Sequence, residues 1–214
     1  MPHLAPTILY SDDALIVADK PAGLLSVPGR GEHLRDCLAV RVQALFADAL
    51  IVHRLDRDTS GLIVLARGAE MHRRMSMAFE KRTVGKRYLA QVHGHVDHEG
   101  GEIDLPLIVD WENRPRQMVD PVRGRRALTR YRVLAREGAG VDAISRVELE
   151  PVTGRSHQLR VHLMTIGHAI LGDSLYAPPE SAERHPRLHL HAARIEFMHP
   201  QTQQPMSFES CVPF

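Results

Sequence analysis

Leu128-Thr-Arg-Tyr-Arg-Val-Leu-Ala135 and Ala143-Ile-Ser-Arg-Val-Glu-Leu-Glu150 flank Glu137-Gly-Ala-Gly140. Two strand-forming runs about a glycine turn read as an antiparallel hairpin. Residues 8–10 and 14–18 repeat the arrangement around Ser11-Asp12-Asp13, ended by Lys20-Pro21-Ala22-Gly23. Further strands are expected over 62–66, where an unbroken apolar run implies burial on both faces, and over 87–96, 188–197 and 206–208. Three helices are predicted between them. One covers 34–46, with Leu34, Leu38, Val42 and Leu45 at helical spacing. One covers 69–81, with Met71 and Met75 as core filler and Thr83 and Gly85 at its end. The third has Ser156 as N-cap and Gly167 just past its last turn. Residues 100–120 show little periodicity. Hairpins outnumber βαβ units, so the chain reads as α+β, a mostly antiparallel mixed sheet with a few packed helices.

The chain has 214 residues, 43% hydrophobic and 25% charged, the composition of a soluble globular protein rather than a disordered or collagen-like one. It has no repeat and no Ser/Gly linker, so one domain over 1–214 is the economical reading. Cys37 and Cys211 are too few for a disulfide framework and are expected to be core thiols in a reducing compartment. The apolar runs are far short of the ~18 residues needed to cross a bilayer, and no leader pattern opens the chain, so a cytoplasmic protein without membrane attachment is expected.

Residues 113–136 carry eight arginines against Asp120 alone, a local charge of +7, and the remainder is left at −6. A local cationic segment is suited to facing phosphates. The alternative is that arginine is this chain's usual cation, 24 against three lysines, with much of the segment simply solvated.

Two segments concentrate polar chemistry. In His53-Arg54-Leu55-Asp56-Arg57-Asp58-Thr59-Ser60-Gly61 a carboxylate sits among two arginines and a histidine, which favours its ionised form and suits a nucleophile or base. It reads equally as a turn in which Asp56 and Asp58 cap amides and pair with Arg57. In Gly154-Arg155-Ser156-His157-Gln158-Leu159-Arg160-Val161-His162, Arg155 precedes a helix start, where amides and dipole favour an anion; a plain salt bridge is the alternative. Tyr88, beside Arg82, Lys86 and Arg87, can stack on a base or be a half-buried strand residue. His185, His189 and His191 form the tightest histidine group, but no Cys or acid completes a zinc set, and hydrogen-bonded residues lining a cleft are expected.

Taken together these segments resemble the RluA family of pseudouridine synthases. His53-Arg-Leu-Asp56 followed by Thr59-Ser-Gly61 is similar to its HRLD and TSG signature, Lys20-Pro-Ala-Gly-Leu-Leu-Ser-Val-Pro-Gly29 to its KPxGLLxxPG segment, Lys86-Arg-Tyr88 to its KxY, and 154–162 to its GRxHQLRVH. Leu105-Pro-Leu-Ile-Val-Asp-Trp-Glu-Asn-Arg-Pro115 further resembles the short subgroup that modifies 23S rRNA and the tRNA anticodon stem-loop. The resemblance implies a single catalytic domain without an S4 module, a central RNA-binding cleft, and no metal or cofactor. It also implies Asp56 acting on uridine C1′ as nucleophile or base, Arg155 pairing with it, Tyr88 stacking on the uracil and acting at C5, and Arg54 filling the gap left by the flipped base. RNA contacts are expected from His53, Arg54, Thr59 and His157. In the basic segment they are expected from Arg114, Arg116, Arg123, Arg125 and Arg126. The partners implied are tRNA and 23S rRNA stem-loops, met by a monomer. Two other classes are distinguishable: a non-catalytic RNA-binding or ribosome-assembly protein, which binds without product, and a histidine-based metallohydrolase, which a chelator inactivates.

Overall fold

The computed structural model describes residues 6–214, the side chain of His33 excepted. The chain forms two compact units, one of the residues up to Lys86 with Ala192–Pro213, the other of Arg87–His191 with Phe214.

The first unit holds β1 (Thr7–Ser11), β2 (Leu15–Lys20), α1 (Leu38–Gln43), β3 (Ala49–Ile51), β4 (Ser60–Arg67) and α2 (Gly68–Glu80). Strand β5 (Gly85–His93) leads out of it. In the second unit follow β6 (Gly100–Asp104), β7 (Leu107–Val109), β8 (Gln117–Val119), β9 (Leu128–Glu137), β10 (Ile144–Pro151), α3 (Gln158–Thr165) and α4 (Pro179–Arg184). Strand β11 (Leu190–Met198) leads back, and β12 (Pro205–Glu209) closes the first unit.

In the first unit β1 pairs β2, β2 and β3 pair β4, and β12 pairs β11, all antiparallel. Seven of the eight β4 residues are buried, as the unbroken apolar run requires. Leu15, Val17, Leu62, Val64, Ala66, Ile195 and Phe197 form the core, onto which α2 lays Met71, Met75, Ala78 and Phe79. Each such aliphatic side chain contributes roughly 1.5–3 kcal/mol when buried. In the second unit β5, β10, β9 and β6 follow one another in antiparallel register, and α3 adds Leu159 and Leu163 to their core.

The α+β class and both hairpins stand as expected. The helix over 34–46 does not. Cys37 is extended and bridges Leu25, and the amides of Leu38 and Ala39 donate to the carbonyls of Leu25 and Ser26. Those bonds terminate any helix from Leu34, so α1 begins only at Leu38, behind a 3-10 turn over Glu32–Leu34. Residues 100–120 contain three short strands that low periodicity hid. Helix α3 is capped not by Ser156 but by His157 in the left-handed region, φ 53°. Gln158 N–H bonds the Arg155 carbonyl in that tight turn, so the amide is not available to the Ser156 hydroxyl. Cys37 is buried, but Cys211 is exposed: it lies beyond β12, where no element covers it.

Candidate active site

Asp56 lies on the loop between β3 and β4, and the residues on both sides of it are held. On one side the Ser26 hydroxyl donates to the Leu55 carbonyl at 2.7 Å and accepts from the Leu55 amide at 3.1 Å. On the other, the Arg57 carbonyl accepts from Lys20 Nζ and from the Gly23 amide, both at 2.9 Å. Lys20 is wholly buried and spreads its ammonium over the carbonyls of Pro21 and Leu24 as well. A buried ammonium is tolerated only when its donors are satisfied, and these carbonyls help to supply that here. The segment 20–26 thus serves as a brace for residues 55–57.

The same loop enters β4 through Gly61, whose φ is 109°. A Cβ there would lie 2.6 Å from the Ala192 amide nitrogen, so only glycine fits. Arg57 pairs with Asp58 at 3.0 Å. Arg54 is exposed, and among the described residues no ion pair engages it.

Thr59 is a correction, and His53 is held by the framework. The Val64 amide donates to His53 Nε2 at 2.9 Å, so the ring is neutral, with its proton on Nδ1, and it stacks on Phe79. Burial, and then the Lys86 cation, push its pKa down to about 3. Thr59 is 2% exposed. Both are held in the framework, and Thr59 offers no contact surface for RNA.

In the second unit Gln158 organises the turn that bears Arg155. Its Oε1 accepts from the Arg155 amide at 3.0 Å and from the Thr153 hydroxyl at 2.7 Å. Its Nε2 donates to the Leu128 carbonyl and to Thr129 Oγ1. All four capacities of the buried amide are used, which is what burial demands. Thr129 in turn meets His162 Nδ1 at 2.9 Å, and His162 Nε2 reaches the Leu105 carbonyl. Arg155 is half-buried, and its Nε donates to the Arg126 carbonyl at 3.2 Å. Tyr88 stands opposite Leu149 on β5, partly buried against the core.

Arg160 and Asp173 form a buried two-pronged ion pair at 2.6 and 2.8 Å. Asp173 also accepts the amides of Leu175 and Tyr176, and His157 Nδ1 lies 2.7 Å from the Tyr176 hydroxyl.

The basic segment is largely neutralised in space. Arg130 faces Glu102 and Glu150 across β9, and Arg132 faces Glu148, so register places opposite charges side by side. Arg123, Arg126 and Arg136 pair with Asp120, Asp104 and Glu99. Arg114 lies over the Trp111 ring, Arg116 donates to the Leu175 carbonyl, and Arg125 is exposed. Among the described residues no carboxylate pairs with these last three, which leaves their charge uncompensated by an acid.

Of the histidine group, His189 is hydrogen-bonded, its Nδ1 2.7 Å from Gln91 Oε1, and its ring meets that of His185. Among the described residues no three His, Cys, Asp or Glu side chains are grouped to hold a metal, and no helix is long and apolar enough to cross a membrane.

Sequence reasoning missed Lys20, Ser26 and Gln158 as positioning groups, although all three stand inside the motifs quoted above. The signal was a lysine closing an apolar strand, where a charge needs a reason. Arg160 and Asp173 left a fainter trace, an acid following the apolar run 169–171.

Comparison with known proteins agrees with the motifs. Residues 14–165 match the family described as RNA pseudouridylate synthase. A Yersinia pestis protein named dual-specificity RNA pseudouridine synthase RluA is 47% identical, covering 94% of this chain and 97% of its own. A protein of the same name from Escherichia coli K12 is 46% identical, over 97% and 93%. Among solved structures, human RNA pseudouridylate synthase domain containing 1 superposes with a TM-score of 0.82 at 27% identity, over all of this chain and 87% of that one.

Proposed function

Because the chain belongs to the RNA pseudouridylate synthase family, we propose that it isomerises one uridine in a tRNA anticodon stem-loop and another in 23S rRNA, as a single catalytic domain acting in the cytoplasm. The class of the enzyme, an isomerase acting on RNA, follows from that membership. That there are two RNA substrates is inferred from relatives that carry the dual-specificity name at high coverage, and which two from the resemblance of residues 105–115 to the short subgroup.

In this reading Asp56 acts on C1′ of the extruded uridine, the C1′–N1 bond breaks, the base turns and a C1′–C5 bond forms, with the proton lost from C5 balanced by one gained at N1. Extrusion costs a few kcal/mol, which contacts to the RNA backbone offset. Tyr88 stacks on the uracil, Arg155 supplies positive charge to the reacting centre, and Arg54 enters the space the base has left. Arg114, Arg116 and Arg125 contact phosphates. One observation carries the assignment to Asp56. Its two neighbours in sequence, Leu55 and Arg57, both have their carbonyls held by buried side-chain donors, Ser26 and Lys20. Catalysis gains most from groups held in place before the substrate arrives.

The test is incubation of the purified protein with tRNA and 23S rRNA transcripts, with pseudouridine read as carbodiimide-dependent stops in primer extension. Wild type gives one stop in each RNA. Asp56→Asn gives none while RNA affinity stays within a few fold. A stop in one RNA alone narrows the substrate; full activity of the variant removes Asp56 from the chemistry; tight binding with no stop favours the non-catalytic alternative.

A further inference from the structure

The β7–β8 hairpin is a small arm with an ordered tip. Asp110 accepts from the Asn113 amide and side chain, at 3.2 and 2.9 Å, and Arg116 N–H donates to the Asn113 carbonyl. Trp111, the single tryptophan of the chain, is 68% exposed with the Arg114 guanidinium 4.9 Å from its ring centre. An exposed aromatic ring covered by a cation is an unusual thing to leave in water, and it suits stacking on a nucleic-acid base.

At its base the arm meets Tyr176. The Gln117 amide donates to the Tyr176 hydroxyl at 2.8 Å, and Arg116 donates to the neighbouring Leu175 carbonyl. The guanidiniums of Arg116 and Arg160 flank the Tyr176 ring at 5.9 and 5.1 Å. The same hydroxyl holds His157, the left-handed residue two places after Arg155 and immediately before Gln158. Tyr176 itself does not give way. Its amide and that of Leu175 are bound by Asp173, which the buried Arg160 fixes. A single oxygen therefore joins the strand that carries the arm to the turn that carries Arg155.

We propose that Tyr176 is a positioning residue that transmits engagement of the arm by RNA to the Arg155 turn. This rests on the reading above in which Arg155 serves the reaction. RNA seated on Trp111 and Arg114 fixes β8, the Gln117–Tyr176–His157 chain fixes the turn, and a substrate that does not fill the arm leaves Arg155 less well placed. Selectivity is then exercised in the rate of the chemical step as well as in affinity.

The experiment uses Tyr176→Phe, which keeps the ring between its two arginines and removes only the hydroxyl. Two measurements are made. Fluorescence anisotropy of Trp111 in the free protein reports the order of the arm; it falls in the variant if the hydroxyl ties the arm down, and an unchanged value overturns the tie whatever the protein's activity. Single-turnover isomerisation of a saturating anticodon stem-loop RNA is expected to slow by roughly 5- to 30-fold, the range of one or two lost hydrogen bonds. RNA affinity stays within about threefold, since no phosphate contact is removed. The same substitution is then made in a Trp111→Ala, Arg114→Ala background. Transmission predicts no further slowing there, because the arm no longer engages; a mere brace predicts that the two losses multiply, and that result overturns the proposal. If wild type isomerises no RNA while the anisotropy still falls in Tyr176→Phe, the functional reading fails and the tie stands.

Discussion

The Ser26 hydroxyl grips Leu55 at both of its backbone polar groups, donating to the carbonyl at 2.7 Å and accepting from the amide at 3.1 Å. All three groups are buried, so Ser26→Ala leaves two peptide groups without partners at about 1–3 kcal/mol each. Chemical denaturation measures that loss. Single-turnover isomerisation falls with RNA affinity unchanged, because the effect reaches the substrate only through Asp56. Equal losses in rate and affinity would show that the brace supports the RNA surface instead.

Gly61→Ala is expected to destabilise by about 2 kcal/mol or more, since a side chain there meets both a positive φ and the Ala192 backbone. Gly23→Ala shares the positive φ but meets nothing within 4 Å, so it costs less. Thermal melting of the pair separates clash from conformation.

Arg125→Ala weakens RNA binding and lowers the slope of log affinity against log salt by about one. Arg132→Ala, whose guanidinium already meets Glu148 at 3.1 Å, leaves both unchanged. Titrations at several salt concentrations decide, and equal effects would mean that RNA displaces the cross-strand carboxylates.

His53 makes the fold acid-sensitive. Its pKa is about 3 in the fold against 6.5 for a free histidine, so the unfolded chain binds the extra proton. Stability is fully present above about pH 6.5 and falls by up to about 1.4 kcal/mol per pH unit down toward 3. His189, lowered to about 4 by burial and by the nearby His185 and Arg187, adds to the same window. His53→Gln, whose side-chain carbonyl can still accept from Val64, flattens the slope in urea titrations at pH 7, 6 and 5; an unaltered slope would place the sensitivity elsewhere.

Hairpins, buried strands and α2 were legible because their signal is local: glycine turns, apolar runs and the spacing of Met71 and Met75. Strands β6, β7 and β8 were not, since three to five residues carry too little periodicity and their pairing comes from partners elsewhere in the chain. The same blindness affected charge. Counting along 113–136 saw eight arginines, whereas the carboxylates that answer five of them are Asp120 within the segment and Asp104, Glu102, Glu150, Glu148 and Glu99 outside it. Asp56, Arg54 and Arg155 became candidates through motif rather than physics. The groups that hold them were obscure because each is anchored across a sequence gap, as with Lys20 and Arg57, 37 residues apart.

The first unit is built from both ends of the sequence, and this orders its birth. When Lys86 leaves the ribosome, β4 still lacks β11, which is synthesised more than 100 residues later. The loop bearing Asp56 is then already made, but the backbone of Ala192 against which Gly61 closes does not yet exist. A chain stalled or clipped before residue 192 is therefore expected to carry every motif of the family and still lack a finished site.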